Sequence, residues 1–519
     1  MDSKSGEPTP LRKLLPCEQI NSTLHNMGGY LSVTITCRYH SPRPGQKIDS
    51  AFLYPALGRV VSAQPMLHVG ILNEHTTNAS FCHIGEVNLA NHVTFSTLDC
   101  ETLVQYNDQI AIRHNWHHDQ RWQNIVTHPP WRVAVVEPSA AVLGELSGVQ
   151  DITFSFHHAL MDGTSGRLFH ELLLAELNNQ LQQPQQKATK EGKITPLSSV
   201  LYFPEARQLP VIHATIRFTN SPAYFVKTLW KEFAPAMLCA KKIVPWHGKA
   251  IDFALPYITI TKPVDIPDRI LTKLIITCRQ HQTTITGLLH ALILTSLATR
   301  LSPTEASSFA AATPISLRPF LNPEMDPKLK EHLCNVVTGC IQEFPPDVVD
   351  KLRRPTQDQT LDDTIWRVAQ RVKNELNIRT STLPKDDVSG LFKYVSDWFE
   401  FFKKKDGKPR AETWEISNIG VFKDRTQQTL QGVVSPRYRV SRMYFSNGSM
   451  VTAAAVGIGV GSVPSGALTI AISWQKAVVA DELMNGLAED LLAYVRCFDK
   501  IGTFGGNSHA SQPSSCMKL

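Results

Sequence analysis

Polar and apolar positions alternate from Tyr30 to Tyr39, where Leu31, Val33, Ile35 and Cys37 fall on one face, and this period of two predicts a strand. Ahead of it, Arg12 to Met27 reads as a helix. Ile48 to Val61 predicts an amphipathic helix that stops before Gln64-Pro65, followed by a strand from Met66 to Leu72. Val149 to Phe156 alternates again, with Ile152, Phe154 and Phe156 in phase. After Gly166 the period becomes helical through Leu168, Phe169, Leu172, Leu173, Leu177 and Leu181. Gln180 to Lys193 then loses apolar periodicity and reads as a solvated connection.

The second half repeats the mixture. Helices are predicted at Ile266 to Cys278, Thr284 to Arg300, Leu361 to Ile378 and Asp481 to Arg496, and strands at Phe309 to Pro314, Glu415 to Val421 and Ser441 to Ser446. Val451 to Ile472 is uncharged and long enough to span a bilayer. Three glycines and the Val463-Pro464-Ser465-Gly466 turn signal break it, so it reads as two buried strands. Leu391, Val395, Trp398 and Phe402 share a helical face ahead of three lysines. That face is either buried, with the lysines complementing the helix dipole, or a membrane-surface contact.

With 519 residues, 42% hydrophobic and 19% charged, the chain is long enough for two cores and too apolar to be disordered. It divides into an N-terminal lobe at 1–182, a crossover at 183–252, a C-terminal lobe at 253–501 and a disordered tail at 502–519. The net charge of +6 forms no basic stripe, which argues against nucleic acid as a partner. Ten cysteines include no Cys-x-x-Cys pair, so neither a zinc site nor a disulfide framework is expected. No apolar leader stands at Met1 to Pro16, and a reducing, cytoplasmic setting is the simplest reading. The ending Met517-Lys518-Leu519 only half resembles a peroxisomal address. A monomer is expected.

Candidate chemistry concentrates at Phe156-His157-His158-Ala159-Leu160-Met161-Asp162-Gly163. A strand end is a rigid place from which to project an imidazole, the side chain best matched to proton transfer near neutral pH. His158 is the candidate base and Asp162 its motif partner. His157, next along the strand, points the other way. Gly163 is expected to supply the backbone angles of a tight turn. A second histidine-rich run, His114 to Asp119, lacks a matching ligand set and reads as a solvated loop rather than a metal site. No Gly-x-Ser-x-Gly elbow supports a hydrolase.

His-His-x-x-x-Asp-Gly resembles the signature of the coenzyme A-dependent acyltransferase superfamily, which includes chloramphenicol acetyltransferases, plant acyltransferases, condensation domains and fungal alcohol acetyltransferases. Further pieces look like the fungal branch in order: Asn26 to Tyr30, Pro129 to Val133, Ser316-Leu317-Arg318-Pro319, Ile416 to Gly420 and Ile472 to Gln475. The Asp-Phe-Gly-Trp-Gly box of the plant branch is absent. The resemblance implies an α/β (α+β) fold of two lobes, chloramphenicol acetyltransferase-like, with mixed sheets flanked by helices and a channel between them. It also implies an Asp162 that pairs with an arginine instead of the histidine. Arg318 is the candidate, with a strand-end surface arginine as the open alternative. Ser417 and Asn418 are candidates for the oxyanion site or the channel wall, against a plain turn.

The activity so implied is O-acetylation of a neutral, largely apolar alcohol by acetyl-CoA as cosubstrate, in specialised metabolism, with no permanent cofactor and no metal. Short-chain alcohol acetylation to volatile esters and carrier-protein-dependent condensation are the alternatives.

Overall fold

A computed structural model describes residues 8–43, 45–139, 146, 148–182, 199–206, 209, 216–233, 243–322, 329–356, 358–426 and 436–505. In chain order the strands are β1 (Pro10–Lys13), β2 (Val33–His40), β3 (Val69–Leu72), β4 (Ser80–His83), β5 (Glu86–Asn88), β6 (Val93–Leu98), β7 (Trp131–Pro138) and β8 (Val149–Phe156). They continue as β9 (Val200–Tyr202), β10 (Thr259–Ile266), β11 (Phe309–Ser316), β12 (Val337–Phe344), β13 (Trp414–Val421), β14 (Arg439–Asn447), β15 (Val456–Ser462) and β16 (Leu468–Gln475).

Two mixed sheets organise the molecule. One has five strands in the order β14-β2-β8-β7-β6, the other six in the order β10-β16-β15-β13-β11-β12. The alternation read at Val149 to Phe156 becomes β8, antiparallel to β2 and to β7, with Trp131 opposite Phe156. Ile152, Phe154 and Phe156 are fully buried and pack with Phe169 of the helix Gly163–Gln182. In the second sheet, Val451 to Ile472 forms β15 and β16, joined by the predicted turn. The helix Ile285–Arg300 lies almost wholly buried against the helix Leu361–Thr382, and Thr284 caps its start by accepting from Gly287 N–H. Each of its buried leucines stabilises the core by about 1.5–3 kcal/mol.

Several expectations are corrected. Arg12 and Lys13 belong to β1, and the helix starts at Pro16, a residue suited to a first turn because it has no N–H to leave unpaired. Met66 and Leu67 form a short 3₁₀ turn before β3. His114 to Asp119 is no solvated loop: it ends the helix Leu103–Asp119, and His114, His117 and His118 are buried. Leu391 to Lys405 is not one helix. It makes one 3₁₀ turn at Phe392–Tyr394 and then the helix Trp398–Lys403, because Asp397 takes the N–H groups of Phe399 and Glu400 and restarts the spiral. Its Trp398 and Phe402 are buried, which favours the packing alternative.

The crossover at 183–252 contains β9 and the helix Pro222–Phe233. The segment 253–501 sends β14 across to pair with β2, so the sheets do not follow the expected lobe boundary. The connection read at Gln180 to Lys193 lies largely outside the described residues, as does most of the expected disordered tail. The first residues of that tail, 502–505, are ordered, with Phe504 buried against Trp366 and Phe498. No helix among the described residues is long and apolar enough to cross a membrane.

Candidate active site

The chain leaves β8 at Phe156 and turns at once. The backbone N–H of His157 donates to Pro130 O at 2.9 Å, and that of Leu160 returns to His157 O at 3.0 Å. Asp162 then caps the helix Gly163–Gln182, its Oδ1 accepting from Ser165 N–H at 2.9 Å. Gly163 is needed for a different reason from the one expected. It is not among the residues with positive φ, but a Cβ there would stand 2.9 Å from both Ile419 Cγ2 and Phe445 Cζ. Glycine lets the helix start press against β13 and β14.

His158 is half-buried at the wall of a cavity of about 260 Å³. Its Nδ1 lies 2.9 Å from Met161 O, an acceptor only, so Nδ1 carries the ring proton and Nε2 keeps its lone pair. Burial pushes the imidazole below its ordinary pKa, against the opposing field of Asp162 and the Met161 carbonyl. Asn335 donates from Nδ2 to His158 O at 2.8 Å, and the Tyr30 ring lies 5.4 Å away, centroid to centroid.

Asp162's carboxylate is hydrogen-bonded to groups other than His158's ring. Its Oδ2 accepts from Arg318 Nη1 at 2.7 Å and from Val336 N–H at 3.1 Å. Arg318 also donates to Ser165 Oγ at 2.6 Å and to Cys334 O at 3.1 Å. Burial alone would raise the Asp162 carboxyl; the guanidinium and the N–H donors outweigh it and hold the carboxyl below its ordinary range. Arg318 is 7% exposed, which disposes of the surface-arginine alternative. His157 is fully buried and is not part of this cavity's wall.

Ser417 and Asn418 both line the cavity. Ser417 Oγ donates to Glu415 Oε1 at 2.9 Å, and Asn418 Nδ2 donates to Thr286 Oγ1 at 3.1 Å. Glu415, which the sequence reading passed over, faces the same cavity and also accepts from Asn447 Nδ2 at 3.2 Å. Burial pushes its carboxyl up to about 7. The period-two spacing that places Ser417 there places Glu415 there too, and that is the signal available in the sequence. Asn335, Glu74 and His25 carry no such signal. Ala159 and Leu160 of the loop are packed in the core.

A larger cavity of about 950 Å³ lies between the helix Leu103–Asp119 and strands β6 and β7, lined by Arg113, Arg121 and Arg132. It contains neither His158 nor Asp162, both of which line the smaller cavity. His25, Glu74 and His157 bring three ligand-type atoms within 4.8 Å of one another, the one such group among the described residues.

Comparison with known proteins fits this geometry. The chain is 26% identical over 509 residues to the probable alcohol acetyltransferase FCK4 of Fusarium pseudograminearum, covering 97% of this chain and 98% of that one. It is 22% identical over 505 residues to the probable alcohol acetyltransferase crmB of Aspergillus fumigatus, covering 92% and 97%. Its fold is similar to that of the trichothecene 15-O-acetyltransferase TRI3 of Fusarium sporotrichioides, with TM-score 0.66 at 12% identity over 94% of this chain and 95% of that one. The condensation domain of the monacolin K polyketide synthase MokA shares the fold at TM-score 0.56 and 9% identity, over 96% and 99%. The alcohol acetyltransferase family profile matches residues 122–493, and the chain therefore belongs to that family of acyltransferases, which esterify alcohols from coenzyme A thioesters.

Proposed function

We propose that the protein transfers the acetyl group of acetyl-CoA to a neutral, largely apolar alcohol, of the kind found among fungal specialised metabolites, with His158 as general base. The observation that carries this reading is the His158 tautomer: Nδ1–H is tied to Met161 O, which leaves Nε2 able to take a proton at the cavity wall. As the alcohol oxygen attacks the thioester carbonyl, its proton passes to Nε2. The tetrahedral oxyanion then collapses, the C–S bond breaks, and the imidazolium returns the proton to the departing thiolate. No side chain is acylated. Ser417 and Asn418 are the proposed oxyanion or wall residues, and removing one oxyanion donor typically costs about 3–4 kcal/mol of barrier stabilisation. The Asp162–Arg318 pair stiffens the loop and takes no proton.

An apolar acceptor is supported by Ala312, Pro314, Val337, Ile419 and Phe445 on the wall, where an unpaired charge would be costly. Purified protein is incubated with free acetyl-CoA and a panel of neutral and charged acceptors, and products are read by mass spectrometry. Ester formation on a neutral alcohol is expected. Turnover only from a carrier-protein thioester would support the condensation alternative, and preferred acetylation of an amine would overturn the reading.

A further inference from the structure

Beside the catalytic loop lies a group that the reaction itself does not use. Glu74 sits in the turn after β3, behind Asn73 at φ +54°, and is buried. Its Oε1 lies 2.9 Å from His25 Nδ1, at the end of the helix Pro16–Asn26, and 3.0 Å from His157 Nε2. The two imidazole rings meet at 4.4 Å between centroids. Two histidines and a carboxylate at this spacing are also what a zinc ion takes.

Proton positions separate the two readings. His157 Nδ1 accepts from Ala159 N–H at 3.0 Å, and His25 Nε2 accepts from Trp122 N–H at 3.4 Å. Each ring thus has one nitrogen committed as an acceptor, and its single proton points at Glu74. A metal in the cluster would take the lone pairs facing Glu74. Each ring proton would then move to the nitrogen that already receives a backbone N–H, placing two hydrogens against each other. The hydrogen-bonded arrangement satisfies every one of these groups, and the metal does not. Glu74 agrees: burial would raise its carboxyl, but the donors His157 and His25 hold it well below the usual range.

From Glu74 a chain of contacts runs to the base. Glu74 fixes His157 with its proton on Nε2, and the bare Nδ1 holds the N–H of Ala159, the residue after His158. Three residues on from His158, Met161 O receives its Nδ1–H. We propose that Glu74 is a positioning residue: by clamping His157 against His25 it sets the loop 157–162 and thereby aims Nε2 of His158 into the cavity. This rests on His158 being the base.

The test compares Glu74→Leu, which has no acceptor, with Glu74→Gln, whose side-chain oxygen can receive both ring N–H groups, in the full-length protein. Displacing a catalytic group by about 1 Å costs about 10²-fold. Glu74→Leu is therefore expected to lose about that factor in kcat per folded molecule, with KM for the acyl-CoA unchanged and most of the turnover recovered in Glu74→Gln. A folded Glu74→Leu protein with normal kcat overturns the proposal. So does stoichiometric metal in the wild-type protein that is lost from Glu74→Gln together with its activity. If Glu74→Leu does not fold, nitrogen NMR of the wild-type histidines decides: a bare Nδ1 on His157 supports the clamp, and a proton there overturns it. His158→Ala is measured alongside. Full activity in that variant removes the base assignment and the clamp's purpose with it, whereas an inactive His158→Ala beside a fully active Glu74→Leu removes the clamp alone.

Discussion

Two His-His doublets occur in this chain, and they have opposite fates. His157-His158 ends a strand and opens onto a cavity, with one ring nitrogen of His158 free for chemistry. His117-His118 ends a helix, and His118 is sealed beneath the five-stranded sheet with its Nε2 2.7 Å from Ser446 Oγ and its Nδ1 3.2 Å from Ser32 O. His114 shares the same Ser446 hydroxyl at 2.7 Å. Burial pushes His118 down to about 3, so it stays neutral and does the packing work of a polar core residue. What separates His118 from His158 is that both ring nitrogens of His118 are committed to hydrogen bonds, whereas His158 keeps one uncommitted at a cavity wall.

Exchanging the doublets' roles by mutation is the sharpest way to break this comparison. His158→Ala is expected to lose about 10²–10⁴-fold in kcat with an unchanged melting temperature. His118→Ala is expected to do the reverse, melting earlier while turnover per folded molecule holds. A His118→Ala protein that kept its stability and lost turnover would erase the distinction.

Asp162→Asn comes next. It strands a buried guanidinium, and breaking such a pair typically costs about 3–5 kcal/mol, so a clear fall in melting temperature should accompany reduced activity. Full stability with no turnover would instead make Asp162 a chemical partner of His158.

Acid distinguishes the sealed histidines from exposed ones. Unfolded, an imidazole takes up a proton below its ordinary value of about 6.5. Folded, His157 and His92 remain neutral to about 4, and His118 to about 3. The unfolded chain therefore binds more protons in that window, and stability is present above about 6.5 and lost as pH falls toward 4. Each such group contributes about 1.4 kcal/mol per pH unit, so denaturant titrations of His118→Gln should show a shallower acid loss by that amount.

Glu415 gives the smallest effect. Its carboxyl, pushed up to about 7 by burial, changes charge near neutral pH on the cavity it shares with His158. Glu415→Gln is expected to flatten the pH dependence of the acceptor's KM near neutrality while leaving kcat within a few-fold. An unaltered pH profile would show that Glu415 does not meet the acceptor.

The loop proposed to carry the base was legible because its parts lie within eight consecutive residues and a strand announces them. Arg318 was legible only through the order of short motifs, since its partner stands 156 positions away. Glu74, His25 and Asn335 were not: each is an ordinary polar residue until packing brings it to the loop. The run His114 to Asp119 misled because its histidines look hydrophilic in sequence, whereas Thr36, Ser32 and Ser446 supply the hydrogen bonds that let them be buried. Gly163 was picked out correctly as a needed glycine, but its need is space and not torsion, which no local pattern encodes.

Strand β14 has a consequence for how the chain is made. It completes one side of β2, and His40 Nε2 meets Ser441 Oγ at 2.6 Å across a separation of 401 residues. During translation, β2 waits with an open row of backbone donors and acceptors until almost the whole polypeptide has left the ribosome. Such late, non-local closure slows folding and leaves an unpaired edge open to aggregation in the meantime. Expression yield, more than the melting temperature of the finished protein, is where substitutions along β14 should register first.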